Sequence, residues 1–140
     1  MLHYVFDKTV SAVPDKEVRV YALNDSPTVR AAITNFQQEN PDVRVNFEVG
    51  TSGGASAEDA LRTLNTELVA GKGPDVLILD GMPLQSFIDK GVLAELSQVV
   101  SADGLIPQVV DPMRTDGKLY AVPTRFTVPV PVSYTHLTLP

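Results

Sequence analysis

Cysteine is absent from the 140 residues, which excludes a disulfide framework and thiolate metal sites while leaving the redox compartment open. Tryptophan is absent as well, and histidine occurs only at His3 and His136. Basic residues are outnumbered, with 11 Lys and Arg against 17 Asp and Glu, for a formal net charge of -6. That balance repels phosphate backbones and anionic lipid, and no Lys/Arg run offsets it locally, so no nucleic-acid partner is expected. No apolar run approaches the roughly 20 residues that cross a bilayer. Residues Met1 to Lys16 include His3, Asp7, Lys8, Pro14, Asp15 and Lys16, and so lack the basic and apolar regions of a signal peptide. Either the protein is not exported or Met1 is internal.

What is present is a globular composition, 44% hydrophobic and 20% charged, with enough chain for one core. The last stretch stands apart. Val132-Ser-Tyr-Thr-His-Leu-Thr-Leu-Pro140 back-translates to a run resembling a transposase adapter of sequencing libraries, and it is set aside as a non-native tail. A Thr-rich strand is the other way to read it. The expected organisation is a linker or upstream remnant at residues 1–16, a first lobe, truncated, at 17–131, and the tail at 132–140.

Within the lobe, Glu17 to Leu23 alternates as a strand, with Val18, Val20 and Ala22 on one side and Arg19, Tyr21 and Leu23 on the other. Ser26 is an N-cap candidate and Pro27 suits the first helical position, after which Val29, Ala32, Ile33 and Phe36 form one stripe. Asn40-Pro41 stops that helix. Val43, Val45, Phe47 and Val49 alternate as a second strand. After the small-residue loop Gly50–Ala55, Ser56-x-x-Asp59 is a capping box for a helix carrying Ala60, Leu61, Leu64 and Leu68, with Gly71 closing it. Val76–Leu79 is short and uniformly apolar, as in a parallel strand buried on both faces. Leu84, Phe87 and Ile88 predict a short helix ending at Gly91. Leu119–Pro123 and Phe126–Val130 read as extended.

Strands alternating with amphipathic helices predict an α/β fold with a mainly parallel sheet and helices on both faces. Ligands in such sheets sit beyond the carboxyl ends of strands, where strand order reverses. The candidate ligand-binding residues are therefore Asn24, Asp25, Asp80, Met82, Arg125 and Phe126.

Three catalytic patterns fare differently. Gly50-Thr-Ser52-Gly-Gly54 matches G-x-S-x-G between a strand and a helix, which makes a serine hydrolase of the α/β class the alternative function. That chemistry needs an imidazole following Ser in the chain, and the one available, His136, falls in the set-aside tail. A P-loop would require Gly where Thr66 stands and Ser or Thr where Gly73 stands. Asp25, Asp75, Asp80 and Asp111 have no partners at metal-ligand spacing, with Asp75 and Asp111 expected to cap turns. No metal, cofactor or catalytic residue is expected.

The order of motifs resembles family 1 extracellular solute-binding proteins, the ligand-capturing partners of ABC importers. Val18-Arg-Val-Tyr-Ala22, Thr28-Val-Arg-Ala-Ala-Ile33 with Phe36, and Glu39-Asn-Pro-Asp-Val43 are similar to the family's opening. Leu61-x-x-Leu64-Asn-Thr-Glu-Leu68, Gly71-Lys-Gly-Pro-Asp-Val76 and Gly91-Val-Leu-Ala-Glu-Leu96 resemble its second helix, third strand and following turn. Asp116-Gly-Lys-Leu-Tyr-Ala-Val-Pro123 resembles the approach to its first crossing between lobes. The resemblance spans about Glu17 to Val130. It implies one lobe of a periplasmic-binding-protein-like fold, a small-molecule solute, commonly a carbohydrate, and an ABC transporter permease as partner. It also implies an extracytoplasmic location, with membrane attachment only through a leader or lipid anchor, and no enzymatic activity. Sugar-stacking aromatics are sparse, since Leu23-Asn24 stands where many relatives carry one.

Overall fold

The computed structural model describes residues 16–101 and 104–124. The chain divides into two compact units, residues 1–86 and 87–140.

The first unit is built on a parallel sheet in the order β2-β1-β3, with β1 at Lys16–Ala22, β2 at Val43–Val49 and β3 at Val76–Ile78. The pairing runs from Lys16 opposite Val43 to Ala22 opposite Val49, and from Val20 opposite Val76 to Ala22 opposite Ile78. So β1 has neighbours on both sides only from Val20 onward. Its burial changes at that residue: Lys16 and Glu17 are exposed and Val18 and Arg19 half-buried, whereas Val20, Tyr21, Ala22 and the following Leu23 are all buried. Alternation along β1 thus gives way to burial of both faces. The reverse correction applies to β3. Val76 is 43% exposed and Leu77 and Ile78 half-buried, because among the described strands β3 is a three-residue edge strand with β1 as its neighbour.

Helix α1 (Pro27–Glu39) starts with Pro in its first turn after an extended Ser26. The Ser26 hydroxyl makes no capping bond, so fixed proline geometry and not a side-chain cap starts this helix. At its end the backbone N–H and the Nδ2 of Asn40 both donate to Phe36 O, each at 2.9 Å. The expected stripe is only partly covered: Val29 and Ile33 are half-buried, while Ala32 and Phe36 are exposed. Helix α2 (Ala57–Val69) has the predicted cap, Ser56 Oγ accepting from Asp59 N–H at 3.1 Å. The second bond differs from a strict capping box, because the Ser56 hydroxyl donates to the Asp59 carboxylate at 2.8 Å. Ala60 and Leu64 are the buried residues of α2. Past its end, Gly71 N–H donates to Leu68 O and Lys72 N–H to Glu67 O, the paired bonds of a Schellman closure.

Arg19 joins these elements. Its Nη2 donates to both oxygens of Glu48 on β2 at 3.1 Å, its Nη1 to Lys72 O beyond α2 at 2.9 Å, and Glu67 of α2 lies 3.9 Å away. Asp75 binds the same residue's backbone, accepting from Arg19 N–H and donating its own N–H to Arg19 O, both at 2.9 Å. At the other end of β1, the Tyr21 hydroxyl donates to Ala60 O at 3.4 Å.

Helix α3 (Leu84–Asp89) runs from the end of the first unit into the second, where Gly91 follows it. Phe87 is 1% exposed, with the Lys90 ammonium 6.0 Å from its ring centre. Helix α4 (Pro107–Val110) leads through a 3-10 turn into a hairpin of β4 (Arg114–Thr115) and β5 (Lys118–Leu119). Asp116 and Gly117 both have positive φ, 51° and 76°, as a two-residue hairpin turn with primed geometry requires. Leu119 is buried, and its carbonyl accepts from Leu96 N–H at 2.7 Å. The expected extended run therefore pairs only as far as Leu119, and Phe126–Val130 lies outside the described residues, as do the tail and residues 1–15.

Two outcomes follow for the stability of a protein carrying this chain. A methyl group on Gly50 would overlap the Tyr21 hydroxyl and lie 2.9 Å from the Ala60 methyl, so Gly50→Ala should cost about 1 to 3 kcal/mol in urea unfolding, as overpacking does. The Tyr21 phenol is held above its ordinary 10.0, first by burial and then by Glu67 and Glu48. A raised folded-state pKa means stability that is present below pH 10 and lost as pH rises through that value. Urea midpoints should therefore fall less steeply above about pH 10 in Tyr21→Phe than in the parent; equal slopes would show that the phenol stays un-ionised or is equally free in both states.

Candidate functional site

Strand order explains where a site belongs. With β1 between β2 and β3, the chain leaves β1 toward one side of the sheet and β3 arrives on the other, so the crevice at their carboxyl ends is the switch point. Three connections meet this edge. Asn24 and Asp25 follow β1 and are exposed. Asp80 is an exposed residue in the turn after β3, closed by Met82 N–H donating to Leu79 O at 3.0 Å. The third is the loop after β2, where Gly50 N–H donates to Ala22 O at 2.9 Å and Thr51 N–H to Leu23 O at 3.1 Å, continuing the ladder past the last strand residues.

The β1 and β3 connections touch at Gly81. Its φ of 76° is the left-handed value that the third position of such a turn favours in glycine. A Cβ built there would lie 3.6 Å from Leu23 Cδ2 and 3.9 Å from Asn24 Nδ2. The sheet thus brings Asn24 and the Asp80 turn together, as the switch-point rule anticipates. Met82 is placed differently from its neighbours, only 9% exposed, so its side chain belongs to the core beneath the edge. Arg125 and Phe126 lie outside the described residues.

Asp25 is oriented by a neighbour. Arg30, one turn into α1, donates from Nε to Asp25 Oδ1 at 2.6 Å, and its guanidinium carbon lies 5.1 Å from the centre of the Phe47 ring on β2. The chemistry this edge offers is hydrogen bonding. Asn24 can donate and accept, and Asp25 and Asp80 can accept.

Ser52 opens a 3-10 turn, Ser52–Gly54, and is exposed. Helix α2 does not begin until Ala57, so Ser52 does not stand at the strand-to-helix elbow that positions a hydrolase nucleophile. Both histidines lie outside the described residues. Asp75 and Asp111 act as local anchors, Asp75 on Arg19 and Asp111 in an ion pair with Arg114 at 3.5 Å. Among the described residues no group of three or more His, Cys, Asp and Glu is placed to hold a metal ion, and no helix is long and apolar enough to cross a membrane. A shallow groove of about 590 Å³ follows the outer side of α2, lined by Glu58, Leu61, Arg62, Asn65, Thr66 and Val69. One helix supplies all of its wall, whereas a ligand site needs polar groups converging from several elements. The strand-end edge meets that condition and the groove does not.

Residues 23–135 match the family model described as bacterial extracellular solute-binding protein. An uncharacterised ABC transporter extracellular-binding protein of Pyrococcus horikoshii is 25% identical over 117 residues, which make up 83% of this chain and 27% of that protein. The chain thus spans about a quarter of the length of this relative. A family 1 extracellular solute-binding protein from Alicyclobacillus acidocaldarius superposes with a TM-score of 0.63 at 20% identity, over 81% of this chain and 29% of its own. An ABC substrate-binding protein of Listeria monocytogenes, solved in complex with cycloalternan, superposes with a TM-score of 0.55 at 22% identity, over 74% of this chain and 27% of its own.

Proposed function

The chain belongs to the bacterial extracellular solute-binding protein family, and from that premise we propose that it forms part of a protein that captures a carbohydrate solute outside the cytoplasm for an ABC transporter permease. The observation that carries this reading is the meeting of Asn24 and the Asp80–Met82 turn at the switch point of a parallel sheet. Hydroxyl-rich solutes suit an edge of amide and carboxylate groups, since each hydroxyl donates and accepts. The cycloalternan complex of the Listeria relative supports a carbohydrate over other solutes. Arg125 and Phe126 lie outside the described residues and are proposed as ligand contacts on their chemistry, a fork of donors and an apolar face for a sugar ring, and Met82 would act by packing under the turn. Binding is the whole of the activity proposed, with no bond made or broken in the solute. Membrane attachment is assigned to a leader or lipid anchor and not to this lobe.

The test uses the full-length protein, titrated calorimetrically with cycloalternan and with linear oligosaccharides. At least one should bind and be recovered chemically unchanged. Asp80→Ala and Arg125→Ala should each weaken that binding by about 1 to 3 kcal/mol, the cost of losing a buried hydrogen bond to a charged group, with thermal unfolding intact. Unaltered affinity in both variants would remove this edge as the binding site, and hydrolysis of the bound sugar would restore the enzyme reading.

A further inference from the structure

Asp25 lies in the short connection between β1 and α1, exposed at the edge where the solute is placed. A carboxylate in such a connection normally samples several rotamers, and a ligand that needs one of them must bear the entropy of selecting it. Here two contacts narrow the choice. Arg30 Nε donates to Asp25 Oδ1 at 2.6 Å, and the Arg30 guanidinium lies over the Phe47 ring, 5.1 Å from its centre. The three residues come from three elements, the β1–α1 connection, the first turns of α1 and the middle of β2.

As an ion pair the contact is weak. Both side chains are more than half exposed, 56% and 55%, and exposed pairs contribute little because holding two long side chains still offsets the Coulomb gain. Phe47 changes that balance. A guanidinium held over an aromatic ring is already restrained, so little further freedom is lost when it binds the carboxylate. The bond engages one oxygen of a group with roughly four acceptor positions, which leaves acceptor capacity for hydroxyl donors from a solute.

We propose that Arg30, held over Phe47, is a positioning residue that keeps the Asp25 carboxylate in one rotamer for the solute. This rests on the placement of the solute at the strand-end edge. Arg30 acts through Asp25, and Phe47 acts through Arg30.

The test has two independent readouts on the full-length protein. Three-bond couplings to the Asp25 Cγ report its χ1 angle with no solute present. They should indicate one rotamer in the parent, averaging in Arg30→Gln and Phe47→Leu, and partial ordering in Arg30→Lys, which keeps the charge but loses the planar guanidinium fork. An averaged Asp25 in the parent, or one unchanged by Arg30→Gln, overturns the proposal. The second readout is calorimetric affinity for cycloalternan or, where it binds more tightly, a linear oligosaccharide. Arg30→Gln should weaken binding by about two- to fivefold, the range of an exposed pair, and should have no further effect in an Asp25→Asn background. Additive losses would show that Arg30 does not act through Asp25. If Asp25→Asn alone leaves affinity unchanged, the solute placement fails while the coupling result on Asp25 rotamers still stands by itself.

Discussion

Gly50 is pressed so closely between the Tyr21 phenol and the Ala60 methyl that any side chain there must displace one of them. Three elements meet at this contact: the middle strand, the end of β2 and the first turns of α2. Burial of Tyr21 supplies the apolar term and its bond to Ala60 O satisfies the hydroxyl, so the phenol enters the core without an unpaired donor. Immediately beyond, the bonds from Gly50 and Thr51 to Ala22 and Leu23 carry the ladder past both strands. The direction in which the chain leaves β1 toward Asn24 is set there, and the strand-end edge inherits its geometry from that close approach.

The other half of β1 is held by charge. Arg19 engages Glu48, Glu67 and the carbonyl of Lys72 with its side chain, while Asp75 takes both polar groups of its backbone. The ion pairs are half-exposed and individually small. What matters is directionality, since one guanidinium fork fixes β2 and the end of α2 relative to β1, and one aspartate fixes the entry of β3. With register set by shape at one end and by directed bonds at the other, variation is tolerated mainly in the connections, where binding residues are free to differ among proteins of one fold.

The elements were legible wherever one local signal sufficed. Ser56-x-x-Asp59 marked the start of α2, Gly71 its end and Asn40-Pro41 the end of α1, because caps and breakers act within a few residues. Sheet order was not legible, and with it went the exposure of Val76 and the burial of Tyr21 and Leu23, all of which depend on which strands flank which. Ser26 misled because Pro27 alone accounts for the helix start. The hairpin at Asp116-Gly117 carries an Asp-Gly turn signal, but its strands of two residues have no periodicity to accompany it. At the strand ends, the switch-point rule indicates the β1 and β3 connections, which touch where Gly81 meets Leu23 and Asn24, but it could not tell that Met82 turns into the core. Arg30 and Phe47 were assigned to a helix and a strand pattern, and only the fold shows that they meet.

Charge at the edge constrains what can be held there. Asp25 and Asp80 are acceptors when ionised, and Arg30 donates to Asp25. An anionic solute approaching these carboxylates would meet like charge in a chain whose formal charge is -6. A cation would be attracted, but its full desolvation against exposed carboxylates brings little net gain. Neutral hydroxyls face neither penalty. They could donate to the carboxylates and accept from the amide. Under the proposed reading, the same Asp25 that accepts from Arg30 would favour polyols over acids, and the Phe47 ring, 5.1 Å from the guanidinium carbon, would serve that cation.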